Sequence, residues 1–182
     1  MRFMCLTDQY GSMIKGTTIL LRALEPQDLD WLYRMENDPA IWSWSDVVQP
    51  YSAYQLSEYI QKSQSDLVQT GQYRWVIADL HKNPWGLLDI YNYHHKHLRA
   101  AVGIVVSPEH RQKGVGVEAL SLLSLWAKNQ LGLKQLYAEV PHLNTASKSL
   151  FLRSGYLQAA EIRDWYRFGE TTQHQIIYQK WL

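Results

Sequence analysis

Residues 105–116 read Val-Val-Ser-Pro-Glu-His-Arg-Gln-Lys-Gly-Val-Gly, and no other stretch restricts the fold as much. Before it, residues 100–106 form a short apolar run bounded by Arg99 and by Ser107-Pro108, the pattern of a buried strand that ends in a turn. After it, Val115, Ala119, Leu122, Leu123 and Trp126 recur at helical spacing, so a helix starts at the glycines. The first backbone N–H groups of that helix have no partner of their own and carry the positive end of its dipole into the turn. An anion fits there. Gly114 and Gly116 remove Cβ atoms that would keep phosphate oxygens from the backbone, while Arg111 and Lys113 add charge at the rim. The pattern lacks the third glycine of the dinucleotide fingerprint and the Gly-Lys-Ser/Thr of a P-loop.

A chain of 182 residues fits one domain with a sizeable core. With 18 Lys plus Arg against 17 Asp plus Glu, its net charge of +1 gives no footprint for nucleic acid or an anionic membrane. No apolar run approaches the roughly 20 residues needed to span a bilayer, and the first twelve residues lack a signal-peptide core. One cysteine, Cys5, cannot form an internal disulfide. These features point to the cytoplasm. Met13 is an alternative start, and residues 1–12 read as a tag remnant or disordered extension.

Along the chain, residues 17–23 read as a strand and 26–36 as a helix with proline in its first turn. Residues 51–69 read as a second helix, stopped by Gly71. Residues 73–78 and 85–93 are strands around the turn at 81–84, and 94–98 make the next turn. Beyond the glycine-turn helix come a strand at 135–140 and a short helix capped by Asn144 and closed at Gly155. Two strands, 157–166 and 173–182, surround Gly169. The order is mixed α/β without repeats.

Arg111-x-x-Gly114-x-Gly116, preceded by Val105-Val106-Ser107-Pro108, resembles the acyl-CoA pyrophosphate motif of the GNAT superfamily of N-acetyltransferases. Leu21-Arg22-Ala23-Leu24-Glu25-Pro26-Gln27-Asp28-Leu29 resembles the opening strand and first helix of the branch containing spermidine and ribosomal-protein N-acetyltransferases. Asn144-Thr145-Ala146-Ser147, then Leu150-Phe151 and Ser154-Gly155-Tyr156, resembles that branch's second cofactor motif. The resemblance covers residues 14–182 and implies a single acetyltransferase domain over 13–182. It also implies an α/β fold: a mixed, mostly antiparallel central sheet splayed at the cofactor site, with about four flanking helices. Acetyl-CoA is the implied co-substrate, and no metal is required. Carried over by position, the cofactor-binding residues are Ile104, Val105 and Val106 on the strand, then Arg111, Gln112, Lys113, Gly114, Val115 and Gly116 in the turn. Asn144, Ser147 and Phe151 complete the set.

Acetyl transfer from a thioester to an amine needs a neutral amine, a polarised carbonyl and a proton for the departing thiolate. A backbone N–H of the strand ending at Val106 can polarise the carbonyl. Ser147 and Phe151 share a helix face that the resemblance aims at the sulfur. Many relatives carry tyrosine at the Phe151 position, and phenylalanine has no proton to give, which leaves Ser147 or water as the acid. Asp89 matches an acidic position in spermidine acetyltransferases and is the candidate base or amine anchor; its competing reading is a carboxylate on the solvent face of a hairpin. Glu36, Asp38 and the aromatics Trp42, Trp44, Tyr51 and Tyr54 lie where relatives place the acceptor, and aromatic faces hold ammonium groups. The competing reading for these residues is a solvated helix end and ordinary packing. His94, His95 and His97 share a turn with Lys96 and lack a second ligand cluster, so no metal site is assigned. The expected activity is acetylation of a small-molecule amine, such as a polyamine or amino sugar, by direct transfer. A protein N-terminal acetyltransferase and a non-catalytic CoA-binding module are the alternatives. The expected partner is a small-molecule amine, not nucleic acid or membrane, and a homodimer is compatible with the reading.

Overall fold

Short β-branched and aliphatic runs lay down one sheet. The computed structural model describes residues 6–7, 13–42, 44, 47–63 and 67–182. Strands β1 (Leu6–Thr7), β2 (Met13–Lys15) and β3 (Ile19–Arg22) form its first edge. Of residues 1–12 only Leu6 and Thr7 are described, paired with Lys15 and Ile14 respectively; the expectation for the rest of that segment lies outside the described residues. A three-residue strand such as β2 is too short to show a period, and the sequence reading passes over it.

The helix expected over 26–36 opens as a 3-10 turn, Pro26–Asp28, and continues as α1 (Leu29–Glu36). Its entry is a capping box in which the Asp28 carboxylate accepts the Glu25 N–H at 2.9 Å. After α2 (Pro39–Trp42), α3 (Ala53–Lys62) starts at Ser52, whose hydroxyl accepts the Gln55 N–H at 3.1 Å while Gln55 accepts the Ser52 N–H. The single helix expected over 51–69 is instead α3 and a separate turn of helix, α4 (Leu67–Thr70).

Strands β4 (Tyr73–Asp79), β5 (Pro84–His94) and β6 (Arg99–Val106) form an antiparallel meander, followed by α5 (Val115–Leu131). The chain ends with β7 (Gln135–Pro141), α6 (Thr145–Arg153), β8 (Leu157–Phe168) and β9 (Thr171–Trp181). Sheet order is β1-β2-β3-β4-β5-β6-β7-β9-β8, antiparallel except for β6 and β7. Among the described residues four helices, α1, α3, α5 and α6, have eight residues or more; α2 and α4 have four each.

Strand alternation sends side chains to two cores. Trp75, Ile77, Leu88, Ile90 and Val102 pack with Ala119, Leu120 and Leu123 of α5. Val76, Ala78 and Leu87 pack on the other face with Leu32 of α1 and with Leu56 and Ile60 of α3. The parallel pair is short: Arg99, Ala100 and Ala101 face Gln135, Leu136 and Tyr137. Beyond Ala101, β6 keeps its pairing to β5 but not to β7, so the sheet splays with one strand edge unpaired. The resemblance implied this gap.

Candidate active site

The glycine turn stands at the end of the unpaired stretch of β6. Ser107 is buried, and its N–H donates to the Trp85 carbonyl at 2.8 Å, fixing the exit from the strand. A 3-10 turn, Pro108–His110, follows, with the His110 ring stacked 4.3 Å from Trp85. Arg111 Nε donates back to the Val106 carbonyl at 2.8 Å. Gln112 and Gly114 both have positive φ, 59° and 83°. Left-handed residues alternating with extended or helical ones turn successive N–H groups inward, a geometry that suits anions. A Cβ on Gly114 would meet nothing within 4 Å, so that glycine is required by backbone conformation and leaves its outer side open. Gly116 has another reason: a Cβ there would lie 3.0 Å from Leu150 Cδ1, so it permits close contact between α5 and α6. Val115 is buried beneath the turn.

Asn144 caps α6, its Oδ1 accepting the Ser147 N–H at 3.0 Å. Ser147 is half-buried. Phe151, one turn further, is 4% exposed and packs in the core, its ring 5.1 Å edge-on from Tyr156 and 6.3 Å from Tyr178. The shared helix face therefore diverges at its two ends.

Two acceptor candidates, Glu36 and Asp89, meet on the opposite face of the sheet, under α1 and α3. Register puts Arg74 of β4 opposite Asp89 of β5, and Asp89 opposite Gly103 of β6. Arg74 grips Asp89 with two hydrogen bonds, Nε to Oδ1 at 2.6 Å and Nη2 to Oδ2 at 2.9 Å. Its Nη1 donates to Glu36, at the end of α1. The three side chains are 16–27% exposed, so the cluster is half-buried. Tyr59 of α3 covers the guanidinium, 5.4 Å from ring centroid to Cζ. Burial opposes the Arg74 charge, yet Asp89, Tyr59 and Glu36 hold its pKa above the ordinary guanidinium range. Burial raises the Tyr59 phenol against the opposing pull of Arg74, and burial with Glu139, Tyr137, Asp89 and Tyr166 raises Tyr91. A Cβ on Gly103 would lie 3.6 Å from Tyr91 Cε1 and 3.8 Å from Asp89 Oδ2, so the glycine keeps the space beside the carboxylate clear.

The expected acceptor residues divide. Trp42 donates its indole N–H to the Glu36 carbonyl at 2.5 Å and so borders the cluster. Asn37 ties Tyr51 to the end of α1, accepting its N–H at 2.9 Å and donating to its carbonyl at 3.0 Å. Asp38 caps α2, its Oδ1 accepting the Ala40 N–H at 2.9 Å. Trp44 is 45% and Tyr54 71% exposed, and Tyr54 pairs with Glu58 one turn along α3. Asp89 lies in the row under α1 and α3, not on a free hairpin face. Arg74, Tyr59, Tyr91 and Gly103 are absent from the sequence reading. The usable signal for Arg74 was hairpin register: it lies opposite Asp89 once the turn at 81–84 is placed.

A family model described as "Acetyltransferase (GNAT) domain" matches residues 18–157. The chain is 25% identical over 173 residues to spermidine N(1)-acetyltransferase from Vibrio cholerae, covering 92% of this chain and 97% of that protein. The solved structure of a spermidine N-acetyltransferase from Vibrio cholerae in complex with CoA and spermine superposes with a TM-score of 0.79 at 24% identity, covering 90% of this chain and 95% of that one. A microcin C7 self-immunity acetyltransferase in complex with acetyl-CoA and AMP gives a TM-score of 0.81 at 18% identity, covering 94% and 97%. These two superpositions establish a common fold. No described helix is long and apolar enough to cross a membrane.

Proposed function

The chain belongs to the GNAT acetyltransferase family, and on that premise we propose that it transfers an acetyl group from acetyl-CoA directly to the amine of a small molecule, in the cytoplasm. One observation carries the reading: the donor gap and the acidic cluster meet on β6. Gly103 lies in the part of β6 that β7 leaves unpaired, and its partner across β5 is Asp89.

Acetyl-CoA supplies the acyl group already activated as a thioester. The residues present suit it: an open, left-handed Gly114 at the start of α5, with exposed Arg111 and Lys113 beside it, can hold phosphates. The edge of β6 at Ile104, Val105 and Val106, which β7 leaves unpaired, can receive an extended amide-bearing chain, with the Val106 carbonyl already taken by Arg111, and an N–H from that edge can meet charge developing on the carbonyl oxygen. Glu36 and Asp89 hold the acceptor ammonium beside Trp42, Tyr51 and Tyr59. Asp89 acts as an anchor, because protonating it would break two charge-assisted hydrogen bonds to Arg74. The ammonium releases its proton to water. An N–C bond forms as the C–S bond breaks; the nitrogen gives up its second proton, and Ser147 or water relays a proton to the departing sulfur, so that none is left over. Holding both substrates in line supplies much of the acceleration.

Calorimetry with acetyl-CoA and thiol release across an amine panel test this reading. Gly114→Glu sets bulk and negative charge where phosphates are held, so acetyl-CoA affinity falls about a hundredfold. Unchanged affinity in the folded variant overturns the turn assignment. Modification of peptides alone overturns the small-amine acceptor.

A further inference from the structure

Two carboxylates from separate elements, Glu36 at the end of α1 and Asp89 in β5, converge on one guanidinium. Arg74 engages them with all three of its nitrogens. Two negative charges against one positive leave the cluster with a single net negative charge. Tyr59 covers the guanidinium, Tyr91 borders the space over Gly103, and the Trp42 indole is tied to the Glu36 carbonyl. These three residues present aromatic surfaces that are uncharged at neutral pH. Glu139, the other carboxylate acting on Tyr91, is exposed on β7, across the gap from β6.

We infer that Arg74 sets the charge class of the acceptor, fitting the pocket to a primary monoamine with an apolar or aromatic body and against polyamines. The inference rests on the acetyltransfer reading above. One ammonium balances the charge that Arg74 leaves over. A polyamine brings further cations close to a guanidinium that is half-buried and pinned on two sides. Like charges there are poorly screened, and the repulsion discriminates without any steric block. The aromatic surfaces reward an apolar body and give a hydrated polycation little in return. Arg74 is thus a positioning and selectivity residue that acts through Glu36 and Asp89, and its effect falls on acceptor KM.

The test is steady-state thiol release by the full chain with phenethylamine, hexylamine, putrescine and spermidine at saturating acetyl-CoA. The wild-type protein is expected to favour the monoamines in kcat/KM by about tenfold or more. Arg74→Gln lowers that preference about tenfold, chiefly through KM, whereas Arg74→Lys, which keeps the charge, retains its direction. Glu36→Gln brings the cluster to zero net charge and raises monoamine KM about tenfold with acetyl-CoA affinity unchanged, a readout independent of whether Arg74→Gln folds. A wild-type preference for spermidine overturns the inference and leaves acetyl transfer standing. So does a ratio unmoved in folded Arg74→Gln, or a monoamine KM unmoved in Glu36→Gln. No thiol release with any amine overturns both.

Discussion

Arg22–Asp28 and Arg74–Asp89 are both two-point pairs between a strand arginine and an aspartate, and they differ in what surrounds them. Arg22 holds Asp28 at 2.6 and 2.8 Å, and the two side chains are 9% and 4% exposed. Every remaining group in that pair has backbone to meet. Arg22 also donates to the Ala23 carbonyl at 3.0 Å and to the Lys82 carbonyl at 3.0 and 3.3 Å, and Asp28 accepts the Glu25 N–H. Arg74–Asp89 is more open, and it carries a second carboxylate, Glu36, that a neutral structural pair does not need. A charge pair completed by backbone ties elements together. A half-buried pair with surplus charge is equipped to bind.

The largest expected effect breaks the closed pair. Asp28→Ala leaves the Arg22 guanidinium buried without its counter-ion and removes the acceptor for the Glu25 N–H, so the fold loses about 3–5 kcal/mol. Urea denaturation measures the loss. In the fraction that remains folded, acetyl-CoA affinity stays within about twofold, as expected for a change away from the site. A stable Asp28→Ala protein with impaired binding would reverse the roles assigned to the two pairs.

Asp89→Asn is expected to give the opposite signature. Asn keeps an acceptor for Arg74, and Glu36 still balances the guanidinium charge, so stability falls by about 1 kcal/mol. Removing the charge that anchors the amine lowers kcat/KM about a hundredfold, and an anchor, unlike a base, shows the loss mainly in KM. Amine titrations in both proteins at one pH measure it. A collapse of kcat at constant KM would identify Asp89 as the base instead.

The open pair was harder to read from sequence than the closed one. Leu21 to Leu29 already suggested a strand followed by a capped helix, and Arg22 and Asp28 are six residues apart. Arg74 and Asp89 meet only through hairpin register, and one residue of slip in the turn at 81–84 would send one of them to the opposite face. Asp89 and Glu36 were still identified as candidates, because carboxylates next to a cofactor strand or a helix end are visible without register. The cation between them, and Tyr59 above it, were not. The cofactor half was more legible, since a strand, a glycine turn and a helix are contiguous in the chain. Even there the packing of two residues was not legible: Gly116 makes room for Leu150, and Phe151 enters the core beside Tyr178. Helical spacing shows which residues share a face but not what that face packs against.

Phe151→Tyr carries the comparison into the core, with the smallest expected effect. Asp28 is tolerated in the interior because each of its oxygens has a donor. A hydroxyl added to the Phe151 ring enters a space shaped by Tyr156 and Tyr178 and displaces well-packed carbon. Without a partner it costs about 1–2 kcal/mol, seen as a lower melting temperature. Turnover with a good amine stays unchanged, because the ring is packed in the core against Tyr156 and Tyr178. An unchanged melting temperature with raised kcat would show that position 151 turns toward the sulfur when acetyl-CoA is bound, and it would make leaving-group protonation the step that limits this enzyme.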